Sequence, residues 1–198
     1  MIGIIDYGMG NVGSIFNMLK VLGIESKICS DTQMLMDCDK IILPGVGSFD
    51  NAINNLQSRG FIDVIIKKVE KGDLFLGICL GMQLLGSASD EGKLKGLNII
   101  PGKILKFPTD QKFKVPHMGW NTVSYKNNSL SDNFEGNRYY FVHNYYFLPN
   151  DSSHVLGQTN YIIDFVSCIK KDNVFGVQFH PEKSHKYGMN LFKKFANY

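Results

Sequence analysis

The order of the predicted elements indicates an α/β fold: three layers, a mostly parallel central sheet with helices on both faces, plus an antiparallel extension. Strand-like and helical patterns alternate through the first half of the chain, and a β-α-β-α-β order favours a parallel sheet. After residue 95 the segments become rich in Ile, Val, Tyr and Phe and are broken by Gly, Pro and Asn, which is typical of strands and hairpins. At 198 residues without a linker or repeat, residues 1–198 are predicted to form one domain.

The first half supplies the elements of the parallel sheet. Residues 2–6 are a predicted buried strand, and the next helix places apolar residues at helical spacing before Gly23 ends it: Val12, Ile15, Phe16, Leu19 and Leu22. The elements that follow are strands at 25–30 and 40–43, helices at 49–58 and 61–71, and an apolar strand over 74–78 that leads to Cys79.

The second half is predicted to contain strands and one closing helix. Strands are expected in 97–107, 113–125, 138–148 and 154–161, and a hairpin joins 164–170 to 174–179. The helix over 186–197 places Met189, Phe192 and Phe195 on one face.

Composition excludes several classes of protein. The net charge is only +3, and the Lys and Arg residues are scattered, so no nucleic-acid partner is expected. No apolar run approaches the roughly 18 residues that a membrane-spanning helix needs, and no signal peptide is recognisable. The four cysteines show no zinc-site spacing. We therefore expect a cytoplasmic protein with free thiols, no metal and no cofactor.

Cys79 occupies the most informative position in the chain. It stands between Gly77 and Gly81, where a strand changes into a short helix. A sharp turn of this kind lifts a nucleophile above the sheet, and flanking glycines allow the backbone to pass closely. The alternative is a structural cysteine buried in a glycine-rich strand.

Two further glycine-rich turns follow strands. Gly8-Met9-Gly10-Asn11-Val12-Gly13 matches the dinucleotide-binding pattern, with Asp31 at roughly the distance of the acid that binds ribose. A simple tight turn near a partner surface is the alternative. Pro44-Gly45-Val46-Gly47 could direct backbone N–H groups at a phosphate or at an oxyanion, or could be an ordinary strand-ending turn.

His180-Pro181-Glu182 follows the last predicted strand. A thiol nucleophile needs a base to accept its proton, and that base needs a third group to orient it. Histidine titrates near neutrality, and Glu182 lies close enough in sequence to reach the same ring. Together with Cys79, this motif favours a thiol-dependent hydrolase.

These motifs carry a family resemblance. Residues 77–83 together with His180-Pro181-Glu182 resemble the class I (triad) glutamine amidotransferases, which have a flavodoxin-like fold. Within this class, the chain most resembles the HisH-type glutaminase subunits of imidazole glycerol phosphate synthase, and the resemblance extends from residue 2 to about 195. The segments that carry it are 6–11, 44–49, 116–121, 140–143 and 178–184. In that family the first turn faces a synthase partner, so the resemblance argues against a dinucleotide.

The resemblance implies a role for each matching residue. Cys79 would attack the side-chain amide of L-glutamine, and His180, oriented by Glu182, would act as base and then as acid. The oxyanion would be held by the N–H of Leu80 and by one from the segment Gly45, Val46 and Gly47. Four further residues match positions that bind the substrate: Gln83, Glu91, Asn144 and Tyr145.

The resemblance also implies a protein partner. The ammonia would pass to a (β/α)8-barrel cyclase subunit (HisF-type) in a heterodimer that makes imidazole glycerol phosphate and AICAR in histidine biosynthesis. The matching interface positions are Asn11, Trp120, Tyr140 and Lys183. This sequence departs from the family at Asn144, where Ser or Thr is usual, at 86–88, and at Asn98.

Three alternatives keep the same fold. The stretch 6–14 also resembles paralogues that donate ammonia to a sugar-amidinating synthase in bacterial surface-glycan biosynthesis. A stand-alone thiol hydrolase would need no partner, and a catalytically silent binding subunit would not need Cys79.

Overall fold

A computed structural model describes residues 1–109, 113–127, 129–131 and 137–198. The first half contains, in chain order, β1 (Ile2–Ile5), α1 (Val12–Val21), β2 (Ser26–Cys29), α2 (Thr32–Met36), β3 (Lys40–Leu43), α3 (Phe49–Ser58), α4 (Phe61–Lys71), β4 (Leu74–Ile78) and α5 (Leu80–Leu84). The predicted bounds of α3, α4 and β4 are confirmed.

The second half is mostly strand. Its elements are β5 (Ala88–Ser89), β6 (Gly102–Lys106), β7 (His117–Tyr125), β8 (Asn137–His143), β9 (Tyr145–Pro149), β10 (Val155–Asn160), β11 (Asp164–Lys171), β12 (Val174–Val177) and α6 (His185–Asn197). Two short 3-10 turns lie at Ser152–His154 and Pro181–Lys183.

The sheet brings the end of β12 beside the end of β4. Its main path runs β2-β1-β3-β4-β12-β11-β10-β7-β8, and the pairs from β2 through to β12 are parallel. The predicted hairpin of β11 and β12 is antiparallel. Because Val177 pairs with Ile78, the residues that follow each strand, including Cys79 and His180, emerge at the same edge.

Two apolar layers cover the sheet. On one side, α3 and α4 bury Phe49 and Phe61 against Phe75 of the sheet. On the other, α1 and α6 bury Leu19 and Phe192 with neighbouring strand residues. Helices on both faces, a mostly parallel sheet and an antiparallel extension confirm the predicted fold class.

Three predicted strands were wrong in extent, and the one expected over 113–125 begins only at His117. The strand expected over 97–107 begins only at Gly102, because the N–H groups of Leu97 and Ile100 bond to the carbonyls of Leu84 and Leu85 instead of to a strand. The stretch 138–148 is two strands, β8 and β9, interrupted at Asn144.

Smaller elements had no clear sequence signal. The helix α2 is five residues long, and Asp31 caps it by accepting a hydrogen bond from the Met34 N–H at 2.8 Å. The carboxylate considered for ribose binding therefore serves as a helix cap. Within the described residues, no helix is both long enough and apolar enough to cross a membrane.

Candidate active site

Cys79 lies in a strained turn between β4 and α5. Its backbone has φ 54° and ψ −110°, a region that residues other than glycine rarely occupy. A Cβ atom at Gly77 would approach the carbonyl oxygen of Gly81 to 2.6 Å, and one at Gly81 would collide with the carbonyl of Leu43. The two glycines are needed because helix α5 packs directly on the backbone of strands β3 and β4.

His180 and Glu182 form a buried pair beside this turn. Nδ1 of His180 lies 2.8 Å from Oε1 of Glu182, and the side chains are 2% and 1% exposed. Among the described residues, none forms a hydrogen bond with Nε2 of His180, so this nitrogen remains available to exchange a proton. Burial lowers the pKa of His180, but the thiolate of Cys79 and the carboxylate of Glu182 outweigh burial and raise that pKa to about 10. The imidazolium is therefore favoured while the thiolate is present.

The end of β3 lies against the start of α5. Gly45 is so close to this helix that an added Cβ would lie 2.8 Å from the Gly81 nitrogen. Gly47 has φ +105°, and its backbone packs against the Met9 side chain. The N–H of Leu80 is at the first position of a helix, where it has no intrahelical acceptor. The end of β3 and the start of α5 therefore meet at one cleft, which Val46, Gly47 and Leu80 line.

A cleft of about 300 Å³ collects most of the predicted site. It is lined by Val46, Gly47, Cys79, Leu80, Gln83, Glu91, Val142, His143, Asn144, Tyr145 and His180. Of the residues predicted for catalysis, the oxyanion and substrate binding, only Gly45 and Glu182 are missing from this lining. Gly45 lies behind Leu80, and Glu182 lies behind the His180 ring.

Glu91 places a carboxylate in this cleft. Its Oε2 accepts a hydrogen bond from the Phe49 N–H at 2.9 Å. Burial raises the pKa of Glu91, the Phe49 hydrogen bond lowers it, and the neighbouring Asp50 raises it further. Asp50 in turn accepts hydrogen bonds from the N–H groups of Lys93 and Leu94, which docks the Glu91 loop on helix α3.

The predicted interface residues lie outside the cleft. Trp120 pairs with Tyr140 across β7 and β8, and its ring stacks on His185 at an interplanar angle of 4°. The Lys183 Nζ lies 5.9 Å from the Tyr140 ring centroid. Asn11 precedes α1 without a capping hydrogen bond from its side chain, in a loop whose Gly10 abuts Pro44. Their role at an interface stays a prediction.

Sequence reasoning assigned no role to three buried polar side chains: Gln178, His143 and His117. Gln178 is completely buried and donates a hydrogen bond to Sγ of Cys79 at 3.7 Å. The two histidines, paired across β7 and β8, contact each other through ring nitrogens 2.9 Å apart. Gln178 precedes His180 by two positions, and that spacing in extended backbone was the available signal.

The fold, a nucleophile turn and an adjacent histidine–glutamate pair define the class of triad amidotransferases. The family model described as "Glutamine amidotransferase class-I" matches residues 3–197, and the chain belongs to this family.

Two relatives indicate which type of class I glutamine amidotransferase this chain is. The protein named "Imidazole glycerol phosphate synthase subunit HisH 2" of Methanococcus maripaludis is 54% identical over 98% of each chain. The protein of the same name in Pseudomonas aeruginosa is 46% identical, over 99% of this chain and 98% of the relative. The chain is therefore of the HisH type.

A solved structure supports the fold. The structure of PurLQS from Thermotoga maritima superposes with a TM-score of 0.79 at 21% identity, covering 100% of this chain and 97% of that one. At this identity the likeness concerns the architecture alone.

Proposed function

We propose that this chain hydrolyses L-glutamine to glutamate and ammonia and delivers the ammonia to a synthase subunit. The observation that carries the proposal is the adjacency of a nucleophile turn at Cys79 to the buried His180–Glu182 pair, whose nitrogen and oxygen lie 2.8 Å apart. A thiol, a base and a group that orients the base are the components that acyl transfer requires.

The reaction follows from this arrangement. Sγ of Cys79 attacks the side-chain amide carbon of glutamine, and the imidazolium of His180 gives a proton to the departing ammonia, leaving a thioester. Water then attacks the thioester and gives a proton to neutral His180, which releases glutamate and restores the Cys79 thiolate and the His180 imidazolium. Glu182 holds Nδ1 of the ring, so that Nε2 performs both transfers.

Backbone groups stabilise the negative oxygen of each tetrahedral intermediate. The N–H of Leu80 is one donor, and the segment Gly45, Val46 and Gly47 supplies the other. Gly47 contacts Met9, and Gly10 packs against Pro44, which supports a mechanical link between the first loop and this segment. A partner that presses on the first loop would thereby align the second donor.

The cleft fits a small amino acid with a carboxamide. Glu91 offers a carboxylate to the α-ammonium group of glutamine, and Gln83 offers a polar amide. Asn144 and Tyr145 also line the cleft, at the break between β8 and β9. An Asn at 144 supplies the same main-chain groups as Ser or Thr does, so the departure from the family pattern does not remove them.

The receiving subunit in our proposal is a (β/α)8-barrel cyclase (HisF-type), which uses ammonia to make imidazole glycerol phosphate and AICAR in histidine biosynthesis. The names of the two HisH relatives support this assignment. The surface around Trp120 also supports it: the indole is 39% exposed and the adjacent Met118 is 61% exposed. Exposed aromatic and methionine side chains are enriched at interfaces.

Two expectations about the whole chain belong to the same proposal. Residues 1–198 act as one amidotransferase domain. All four cysteines are free thiols, and a reduced Cys79 is required for catalysis, which supports a cytoplasmic location.

The decisive experiment co-purifies the chain with its barrel subunit and measures glutamate release with and without the substrate of the cyclase. We expect slow hydrolysis by the isolated chain and strong stimulation by that substrate in the complex. Cys79→Ala should abolish glutamate release while the complex still assembles.

Each alternative predicts a different result. Fast turnover by the isolated chain would favour a stand-alone hydrolase, and unchanged glutamate release by Cys79→Ala would favour a silent subunit. A complex stimulated only by a sugar substrate would indicate the sugar-amidinating synthase of surface-glycan biosynthesis.

A further inference from the structure

Gln178 connects the nucleophile to the wall of the cleft. It is fully buried at the end of β12, and its backbone N–H bonds to the carbonyl of Ser167 at 2.9 Å. Its Nε2 donates to Sγ of Cys79 at 3.7 Å, and its Oε1 accepts from Nε2 of Gln83 at 3.0 Å. One side chain therefore touches both the attacking atom and a residue that lines the cleft.

The direction of these hydrogen bonds is dictated by chemistry. Nε2 of Gln83 also lies 3.2 Å from the carbonyl oxygen of Tyr145, and a carbonyl can only accept. The group that faces it must therefore be the NH₂ end of Gln83, whose second hydrogen goes to Gln178. Gln178 must then present its oxygen to Gln83, which turns its own NH₂ group toward the sulfur.

The Tyr145 carbonyl is itself held from a second side. Nδ1 of His143 donates to it at 2.8 Å, which leaves Nε2 of the neutral ring as an acceptor for Nδ1 of His117 at 2.9 Å. The next donor is the amide of Asn121, 3.2 Å from the other nitrogen of His117. The Tyr145 carbonyl, which accepts from Gln83, thus belongs to a chain of hydrogen bonds in which each donor and acceptor is assigned.

We propose that Gln178 is a positioning residue for glutamine hydrolysis. Its Oε1 accepts a hydrogen bond from one N–H of Gln83, and the Tyr145 carbonyl accepts from the other. The Gln83 amide can therefore offer only its Oε1 to the substrate, while Gln178 directs its own N–H at the Cys79 sulfur. This inference rests on the proposed function and extends it. The site therefore selects a ligand that donates a hydrogen bond at Gln83, as an ammonium or carboxamide NH₂ does and a carboxylate does not.

The contact with sulfur has a defined consequence. A neutral thiol is a weak acceptor, whereas a thiolate is an anion and accepts an N–H more strongly. A donor directed at the sulfur therefore favours the form that attacks the substrate. Loss of the donor should therefore move the pH profile of Cys79 alkylation toward higher pH.

Two variants distinguish the effect of the two Gln178 hydrogen bonds from the effect of its packing. Gln178→Met keeps the size of the side chain and removes both hydrogen bonds, whereas Gln178→Glu replaces the donor at the sulfur with a carboxylate oxygen. Ser167→Ala is the matched control, because Ser167 is equally buried on the neighbouring strand and bonds to Thr159 at 2.9 Å instead of to the site.

The first measurement is the pH profile of iodoacetamide alkylation of Cys79 in the full-length chain, with Cys79→Ala as the background. Cys79 is 7% exposed, whereas the other cysteines are 0–1% exposed, so the background should be slow. We expect the midpoint to move to higher pH in Gln178→Met, to move further in Gln178→Glu, and to stay in place in Ser167→Ala. Variant profiles identical to the wild-type profile would contradict an effect of the Gln178 hydrogen bond on the sulfur.

The second measurement is steady-state glutamine hydrolysis by the complex with its barrel subunit. Gln178→Met should raise KM about tenfold because Gln83 loses its orientation, and kcat should fall as well. Unchanged KM and kcat in a folded Gln178→Met complex would contradict a positioning role for Gln178. If the wild-type complex fails to hydrolyse glutamine, the proposed function fails, while the alkylation profile still tests the effect of Gln178 on the thiol.

A third measurement needs no variant. In ¹⁵N-labelled wild-type chain, both side-chain amide hydrogens of Gln83 should exchange slowly with water, unlike those of Gln57, which is exposed on α3. Exchange at the Gln57 rate would contradict the inference even if the Gln178 variants do not fold.

Discussion

The backbone N–H of His180 donates a hydrogen bond to the carbonyl of Tyr140 at 2.9 Å. Ser184 reinforces this link, because its hydroxyl donates to the His180 carbonyl at 2.6 Å and accepts from the Tyr140 N–H at 3.0 Å. Tyr140 also pairs with Trp120 on the adjacent strand. The proposed base is therefore anchored to the same strand pair that presents the exposed aromatic surface, and a partner bound there would act one hydrogen bond away from His180.

Trp120→Ala should weaken assembly with the barrel subunit. The indole is 39% exposed, so the free energy of unfolding should change little, whereas a tryptophan anchor at an interface typically contributes about 2 kcal/mol or more to binding. Titration calorimetry measures the affinity of the two subunits. The matched control is Met36→Ala, because Met36 is 49% exposed on the short helix α2 and lies outside the predicted interface. Equal affinities for both variants would show that Trp120 does not contribute to binding the barrel subunit.

Glu182→Gln should slow glutamine hydrolysis about a hundredfold, within the range for a positioned acid–base group. Burial already lowers the pKa of His180, and the variant removes one of the negative charges that oppose burial. The pKa of His180 should fall, and the alkaline limb of the kcat/KM profile should move to lower pH because the imidazolium that protonates ammonia is lost earlier.

The control for Glu182→Gln is Glu70→Gln, on the exposed end of α4. It should retain the wild-type profile. A Glu182→Gln profile that keeps its alkaline limb in place would show that Glu182 does not stabilise the imidazolium.

Protonation of the histidine pair should destabilise the fold in mild acid. Burial lowers the pKa of His117 to about 4 and that of His143 to about 3, whereas an unfolded histidine titrates near 6.5. Between about pH 4 and 6.5 the unfolded chain binds more protons than the folded chain. The free energy of unfolding therefore falls as pH falls through this window. Urea titrations at pH 6.5 and pH 5, both below the range in which the raised pKa of His180 makes stability depend on pH, measure the difference.

A variant without one histidine tests this assignment. His117→Phe should reduce the pH dependence, because the position already stacks on Phe141 and Tyr161 and an apolar ring binds no proton. His185→Gln, at an exposed position, should leave the dependence as in the wild type. An undiminished slope in His117→Phe would assign the acid sensitivity to other groups.

Gly81→Ala should destabilise the protein by about 2–3 kcal/mol, the upper range for overpacking. The added Cβ would collide with the Leu43 carbonyl, and a backbone atom cannot move aside as a side chain does. Gly13→Ala is the opposite case, because a Cβ at this position in α1 would meet no described atom within 4 Å. Its lower unfolded-state entropy should stabilise the helix by about 0.5–1 kcal/mol. Denaturant unfolding measures both changes, and similar values for the two variants would contradict the packing argument.

Most elements of the fold could be predicted because their signals are local. The apolar spacing in α3 and α4 and the run before Cys79 each specify an element without reference to the rest of the chain. The prediction was wrong at 97–101, where the backbone bonds to Leu84 and Leu85. Hydrophobic residues alone do not reveal which distant carbonyl will accept an N–H group.

The sequence alone determined which residue types were available: a cysteine between two glycines, a histidine two residues before a glutamate, and a glycine-rich turn after the third strand. Only the tertiary structure decided that these segments meet, because the parallel pairing of β12 with β4 joins residues about a hundred positions apart. The spacing of Gln178 from His180 in extended backbone places it on the same face, but the role we infer for it needed the tertiary structure. The direction of its hydrogen bonds comes from the Tyr145 carbonyl and the Cys79 sulfur, which lie far from Gln178 in the chain.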